Sequence, residues 1–454
     1  MISVPSIAQP PDPATFHNAP KPLAPGAITS DWPCLLGPTH NEVSIETHLL
    51  QSFPPTGPTL VWEMNKGEGY ASPAISGDRV VVFHRVGDED VLDCVNAENG
   101  KSFWHFAYPT AYQDRYGYCN GPRSSPVIGG DSVFAIGAEG KLHCLDLKTG
   151  KLRWEHDVMA EYKLRQGFFG VGASPLVEGK LLIVNVGATH GPCVVAFDIN
   201  TGKVVWNAGD QWGPSYATPV PASLHGKRRV LVFAGGESKP PTGGLLCIDP
   251  ANGKVDFSYP WRGDRRESVN ASSPVVVGNQ VYLGECYGAG GLLLDIPDDF
   301  HPKPAWTNPN FGTHFMSAVE HDGYLYGVDG HGPEDAFLVC VDLKTGKELW
   351  RKQPEWEDST DTPDGIRKVA TGTYRCWLMP VDGHYLCLGE FGHLLWMDLS
   401  PQGYKELSRA WLFAASETWT PPALSRGLLY ICQNSRDMMH NTGPRLLCYD
   451  LRGN

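Results

Sequence analysis

One pattern recurs along this chain and limits what it can fold into. In residues 141–158, KLHCLDLKTGKLRWEHDV, Leu142, Cys144 and Leu145 supply an apolar strand. Asp146 closes it, Thr149, Gly150 and Lys151 make a tight turn, and Leu152 and Trp154 open the next strand. Gly150 suits that place because such a turn needs a residue at positive φ. The same wording returns where Asn96 leads through Gly100 to Trp104, and Asp198 through Gly202 to Trp206. It returns again from Asp249 through Gly253 to Phe257, and from Asp342 through Gly346 to Trp350. Looser copies run from Asp295 to Trp306 and from Asp398 to Trp411.

A second phrase precedes each copy. It is Ser-Pro or Thr-Pro, a short apolar strand, a glycine turn and a stronger apolar strand. It begins at Ser72, Ser125, Ser174, Thr218 and Ser273, and more weakly near Ser317, Met379 and Pro421. Each unit therefore holds four strands, A to D, at a period of roughly 40–50 residues, which is the signature of propeller blades. There are eight starts, but the last copy ends after Tyr449, Asp450 and Leu451 without a D strand. Residues 59–64, TLVWEM, resemble 151–156, KLRWEH, without the turn. The N-terminal strand should complete the C-terminal blade and close the ring, leaving no unpaired central edge. The expected fold is all-β: a Pro-rich lead-in over 1–58, then a single eight-bladed β-propeller of four-stranded antiparallel blades over 59–454, with seven blades as the alternative count.

The A-x-D-x-x-T-G-x-x-x-W repeat resembles the PQQ-type repeats of quinoprotein alcohol dehydrogenases and of BamB-type outer-membrane assembly lipoproteins. The head, Asp31-Trp32-Pro33-Cys34-Leu35-Leu36-Gly37-Pro38 with Ser44 following, resembles the lead-in of PQQ-like propeller proteins common in planctomycete bacteria. The repeat specifies a fold and says little of function, because one blade type serves enzymes and scaffolds. The resemblance implies a bacterial, periplasmic or otherwise extracytoplasmic protein. No basic stretch followed by an apolar one opens the chain, so no signal peptide is seen and a cytoplasmic location stays open.

Composition narrows the partners. A formal net charge of −13 argues against sequence-independent nucleic-acid binding. No apolar run reaches the ~18 residues of a membrane span. Of twelve cysteines, Cys94, Cys144, Cys247, Cys340 and Cys448 share one C-strand register and read as small core residues. The others, Cys34, Cys119, Cys193, Cys286, Cys376, Cys387 and Cys432, have no assignable pairing, and no zinc-type spacing occurs. The first ~25 residues should be disordered or wrapped along the surface.

The A–B and C–D turns are short and share one face of the ring. The long irregular segments, 107–122, 159–172, 235–244, 261–270, 352–375 and 433–444, fall on the other, which is the candidate site because function is disproportionately loop-borne. A strands line the central channel. The residue two before each Ser-Pro position should stand at its mouth: Tyr70, Arg123, Gly172, Tyr216, Ala271, Phe315, Trp377 and Trp419, with Asn120, Asn270, His314, Arg375 and Glu417 beside them. That ring is aromatic and cationic. Sugars stack on such faces, and arginine forks match anionic groups. The plain alternative is that these residues plug the channel and pair locally.

B–C loops add His190, His331 and His440, and a glutamate recurs after strand B at Glu139, Glu237, Glu285 and Glu390. Such repetition suggests hydrogen bonds to backbone N–H groups of the next blade. A carboxylate acid/base or a divalent-cation ligand is the alternative. No Cys-Cys pair and no ordered calcium set match the quinoprotein dehydrogenases, so no PQQ is expected and that activity ranks last. Three readings stand. The funnel recognises a polar, anionic or saccharide ligand through Asn120, His190, Glu285, His331, Glu390, Trp377, Trp419 and His440. It is a saccharide lyase or hydrolase working through His314, Arg123, Arg375, Tyr70 and Tyr216. Or the chain is a BamB-like scaffold for protein partners.

Overall fold

The computed structural model describes residues 14–54, 56–188, 191–235, 242–265, 268–362 and 365–453. Seven four-stranded sheets and one five-stranded sheet form eight blades. The second blade is typical: Val127–Gly129, Ser132–Ile136, Lys141–Asp146 and Leu152–Asp157, all antiparallel. The eighth takes Ala423–Ser425, Leu428–Gln433 and Arg445–Asp450 from the C-terminus and Thr59–Asn65 from the N-terminus. A further short strand, Thr15–Phe16, pairs on its outer edge.

The recurring turn is an Asx motif. Asp146 Oδ1 accepts the Thr149 N–H at 2.8 Å and its hydroxyl at 2.7 Å, and Asp198 and Asp342 hold Thr201 and Thr345 likewise. The glycine then fits flat against the tryptophan of the preceding blade. A Cβ on Gly150 would lie 2.6 Å from the Trp104 ring. The same indole donates to the Leu147 carbonyl at 2.9 Å. Trp154, Trp206, Trp306 and Trp350 bridge to their next blades in the same way. Trp62 donates to the Ala97 carbonyl at 2.9 Å, which joins blade eight to blade one. The motif thus couples blades, which explains why turn and tryptophan recur together. The five cysteines in C-strand register each face a D-strand aromatic: Trp104, Trp154, Phe257, Trp350 and Trp62. All twelve cysteines are free thiols.

The Ser-Pro phrase has its own cause. Around the channel, the Ser72 N–H donates to Ser125 Oγ and the Ser125 N–H to Ser174 Oγ, both at 2.8 Å. Thr218 and Ser273 donate onward to Ser273 and Ser317 at 3.1 and 3.2 Å. Each hydroxyl satisfies a buried N–H of the neighbouring blade, where an unpaired donor would be costly.

Two expectations need correction. Trp411 is not the D-strand partner of blade seven: it pairs with His393, and Ser408 occupies the bridging position opposite Trp396. The lead-in causes the exchange. Trp396 donates to the Leu50 carbonyl, and Ser408 Oγ accepts the Phe53 N–H, so a small residue is needed there. Segment 352–375 is also not irregular throughout, since Glu355–Thr362 and Gly365–Gly372 form a hairpin.

The lead-in is built into the ring. Residues 14–26 run along the surface. Trp32 bridges to Ile75 of blade one, the Pro33 carbonyl accepts from Ile128 of blade two, and Ser44 donates to the Pro380 carbonyl of blade seven. Glu46 accepts the Gly427 N–H of blade eight at 2.7 Å. This strap crosses the end of the channel on the plain face. Within it Glu42 is buried beside Ser317, and burial pushes its carboxyl up to about 8.

Candidate functional site

The eight residues at the A-strand mouths, Tyr70, Arg123, Gly172, Tyr216, Ala271, Phe315, Trp377 and Trp419, surround one cavity of about 210 Å³. His314, His331 and Arg375 line it too. So do Tyr118 and Phe169 from D–A connections, Tyr287 from a B–C loop, and Leu35 of the strap, which sequence reasoning missed. None of these four sits in a repeating register. Only the aromatic character of their loops could have drawn attention to them.

The rings form a continuous lining. Tyr70 and Trp419 lie 5.3 Å apart, Phe315 lies 5.9 Å from Trp419 and 6.1 Å from Trp377, and Phe169 lies 5.6 Å from Tyr216. Two segments enter the mouth through strained backbone: Glu417 has φ +62° and Tyr374 φ +46°. Non-glycine residues adopt that region at a cost and concentrate at functional sites. Glu417 accepts the Tyr70 hydroxyl at 2.7 Å, and the Trp377 indole donates to the Trp419 carbonyl at 2.9 Å.

Both arginines are answered by buried carboxylates. Arg123 donates to Asp114 at 2.7 Å and lies over Phe169, 5.0 Å from the ring centre. Arg375 meets Glu390 through its Nε, at 3.0 and 3.1 Å, and through a terminal nitrogen. Glu390 also accepts the Trp419 indole at 3.0 Å. The positive charge around the cavity is therefore neutralised locally.

Burial holds the two histidines of the cavity towards their neutral form. His314 Nε2 lies 3.0 Å from the Tyr287 hydroxyl, and its Nδ1 is shut off from solvent with no hydrogen-bond partner. Burial holds the His314 imidazole well below its ordinary range, with His331 and Arg375 adding to the effect. His331, 4.8 Å from His314, is lowered by burial and by Arg375. Burial raises the phenols of Tyr70 and Tyr287.

The other expected residues do not converge here. Asn120 is engaged in its own loop, accepting the Asp114 N–H at 2.9 Å and donating its N–H to Glu68. His440 pairs with Asp437 and shares a separate cleft with Asp358, Arg409 and Trp411. His190 and Glu237 lie outside the described residues. The remaining glutamates pin the D–A connection leading into their own blade, not the next blade. Glu139 accepts from Thr110 and Ala111, Glu285 from Ser268 and Glu390 from Arg375. Glu285 is thus a buried loop anchor whose carboxyl is raised by burial. Among the described residues, no group of three or more His, Cys, Asp or Glu side chains is placed to hold a metal ion.

The family model described as outer membrane protein assembly factor BamB matches residues 54–165 and 87–352. The chain belongs to this family of PQQ-like repeat propellers. A comparison with curated protein sequences found no match. Among solved structures, BamB from Moraxella catarrhalis is 16% identical with a TM-score of 0.58, over 87% of this chain and 99% of that one. A europium-containing methanol dehydrogenase is 14% identical with a TM-score of 0.60, over 88% and 89%. The quinohemoprotein alcohol dehydrogenase from Comamonas testosteroni is 12% identical with a TM-score of 0.64, over 93% and 81%. These likenesses show that the BamB-type ring is shared. No helix among the described residues of this BamB-family chain is long and apolar enough to cross a membrane.

Proposed function

We propose that this propeller is a binding protein that takes a neutral saccharide into its funnel by aromatic stacking. One observation carries the reading: all eight blades contribute to a single aromatic cavity whose two arginines are already paired with Asp114 and Glu390. Tyrosine and tryptophan offer flat apolar faces with polar rims, which suits a sugar ring. The Tyr287 hydroxyl, which pairs with His314 at 3.0 Å, offers a hydrogen bond at its edge.

The same pairing disfavours the other uses of the funnel. An anionic ligand would compete with carboxylates already in place. A lyase would need an arginine to neutralise a uronate and a Tyr or His to take the proton, whereas both arginines are engaged and burial raises the Tyr70 phenol. PQQ, a polycarboxylate quinone, does not fit a cavity whose cations are engaged. Family membership favours an extracytoplasmic location.

The test is tryptophan fluorescence and calorimetric titration with neutral hexoses and N-acetylhexosamines. Trp377 and Trp419 line the cavity and should report binding by a change in emission. Saturable binding that Trp419→Ala abolishes supports the reading. No binding, or equal binding by the variant, overturns it.

A scaffold reading is favoured by the hairpin Glu355–Thr362/Gly365–Gly372, which no third strand joins among the described residues and which carries Ile366 at 75% exposure. Co-purification of a partner that is lost on deleting the hairpin would move the assignment there.

A further inference from the structure

The aromatic surface does not stop at the rim of the cavity. Tyr116 and Tyr118, on the connection from blade one to blade two, are each 52% exposed. Tyr118 lies 5.9 Å from Trp419 and 6.0 Å from Phe169, so it reaches across the mouth. Tyr116 continues outward, 5.6 Å from Phe168 and 5.7 Å from Phe169.

These exposed rings are held firmly. The buried Asp114 carboxylate accepts the N–H groups of Tyr116 and Tyr118 at 2.8 and 3.2 Å while pairing with Arg123. The facing connection is tied on by Gln166, whose side chain donates to the Gln113 carbonyl at 3.0 Å, and by Arg115, which donates to the Gln166 carbonyl at 2.8 Å. A rigid, exposed aromatic patch continuous with a cavity marks a binding surface. The cavity itself, at about 210 Å³, falls below the roughly 300 Å³ at which pockets for drug-sized ligands begin. It suits one ring, and the platform outside it suits more.

We propose that the ligand is a glycan chain: its terminal unit enters the cavity, and the next units lie along Tyr118 and Tyr116. This rests on the saccharide reading of the funnel. A peptide is the poorer occupant, because the N–H groups of Tyr116 and Tyr118 are engaged by Asp114 and offer no backbone pairing.

The test is calorimetric titration with β-linked glucose and N-acetylglucosamine, each from the monosaccharide to the hexasaccharide. Affinity should rise with chain length beyond the monosaccharide. Tyr116→Ala should weaken the hexasaccharide about three- to tenfold more than the monosaccharide, and Tyr116→Phe, which keeps the ring, should restore it. Thermal melting checks that each variant folds. If affinity is flat with length, or Tyr116→Ala spares the hexasaccharide, while Trp419→Ala still abolishes monosaccharide binding, the chain proposal fails and the single-sugar reading stands. Absence of binding by every sugar overturns both.

Discussion

The Arg375 guanidinium lies over the face of Trp419, 4.7 Å from the ring centre, and one carboxylate, that of Glu390, accepts hydrogen bonds from both side chains. The position of the ring in the funnel thus depends on a charge pair buried behind it.

Replacing that carboxylate leaves a buried cation without its partner. Glu390→Gln should cost about 3 kcal/mol of stability and weaken funnel binding at least as much as loss of the Trp419 hydrogen bond alone. Chemical denaturation and titration of the same variant measure the two effects. Unchanged stability would show that Arg375 finds another partner.

Gly150 and Gly130 separate backbone strain from packing between blades. Their φ values are +69° and +61°, but a Cβ on Gly150 would meet the Trp104 ring at 2.6 Å, while one on Gly130 meets nothing within 4 Å. Gly130→Ala should cost about 1 kcal/mol from strain. Gly150→Ala should cost that and about 1–3 kcal/mol more from overpacking. Equal losses in urea denaturation would remove the Trp–Gly contact from the account of ring stability.

Glu42 makes the strap sensitive to alkali. Its folded carboxyl sits at about 8, raised by burial, against an ordinary value of 4.5. The folded state keeps a proton that the unfolded chain releases, so stability falls as pH rises between those values. Glu42→Gln should melt near the wild-type temperature at pH 5 and above it at pH 8. A difference that does not grow with pH would mean that the carboxyl is ionised in the folded protein.

His143 acts at the other end of the scale. Burial under Tyr108, 4.1 Å away, pushes its imidazole down to about 4. The folded state keeps it neutral, so this contribution is present above about 6.5 and is lost as pH falls towards 4. His143→Gln should flatten the acid limb of the melting-temperature profile while lowering stability at pH 7. An unchanged acid limb would reject the assignment.

Much of this was open to reading because propeller positions repeat. Trp104, Trp154, Trp206 and Trp350 occupy equivalent places, so one local motif marks blade after blade. The eight mouth residues follow from the same register, since each stands two places before its Ser-Pro position. Phe169, Tyr118 and Tyr287 have no counterpart in other blades, and periodicity is blind to them. Trp411 misleads because the strap, remote in sequence, occupies the place where a tryptophan would bridge.

The sequence by itself determined the ring: its repeating strands, its turns and the faces to which long loops fall, with eight blades ahead of seven. These depend on alternation, turn chemistry and contacts between neighbouring repeats, which are local. Only the tertiary structure decided the character of the site. Whether Arg123 and Arg375 stand free or pair locally is open in the sequence and is decided by Asp114 and Glu390 lying against them. His314 is held towards its neutral form by the groups packed around it, and Leu35 lines the cavity because the strap folds across the end of the channel. Charge state and enclosure depend on distances between residues far apart along the chain, which are set only when the ring closes.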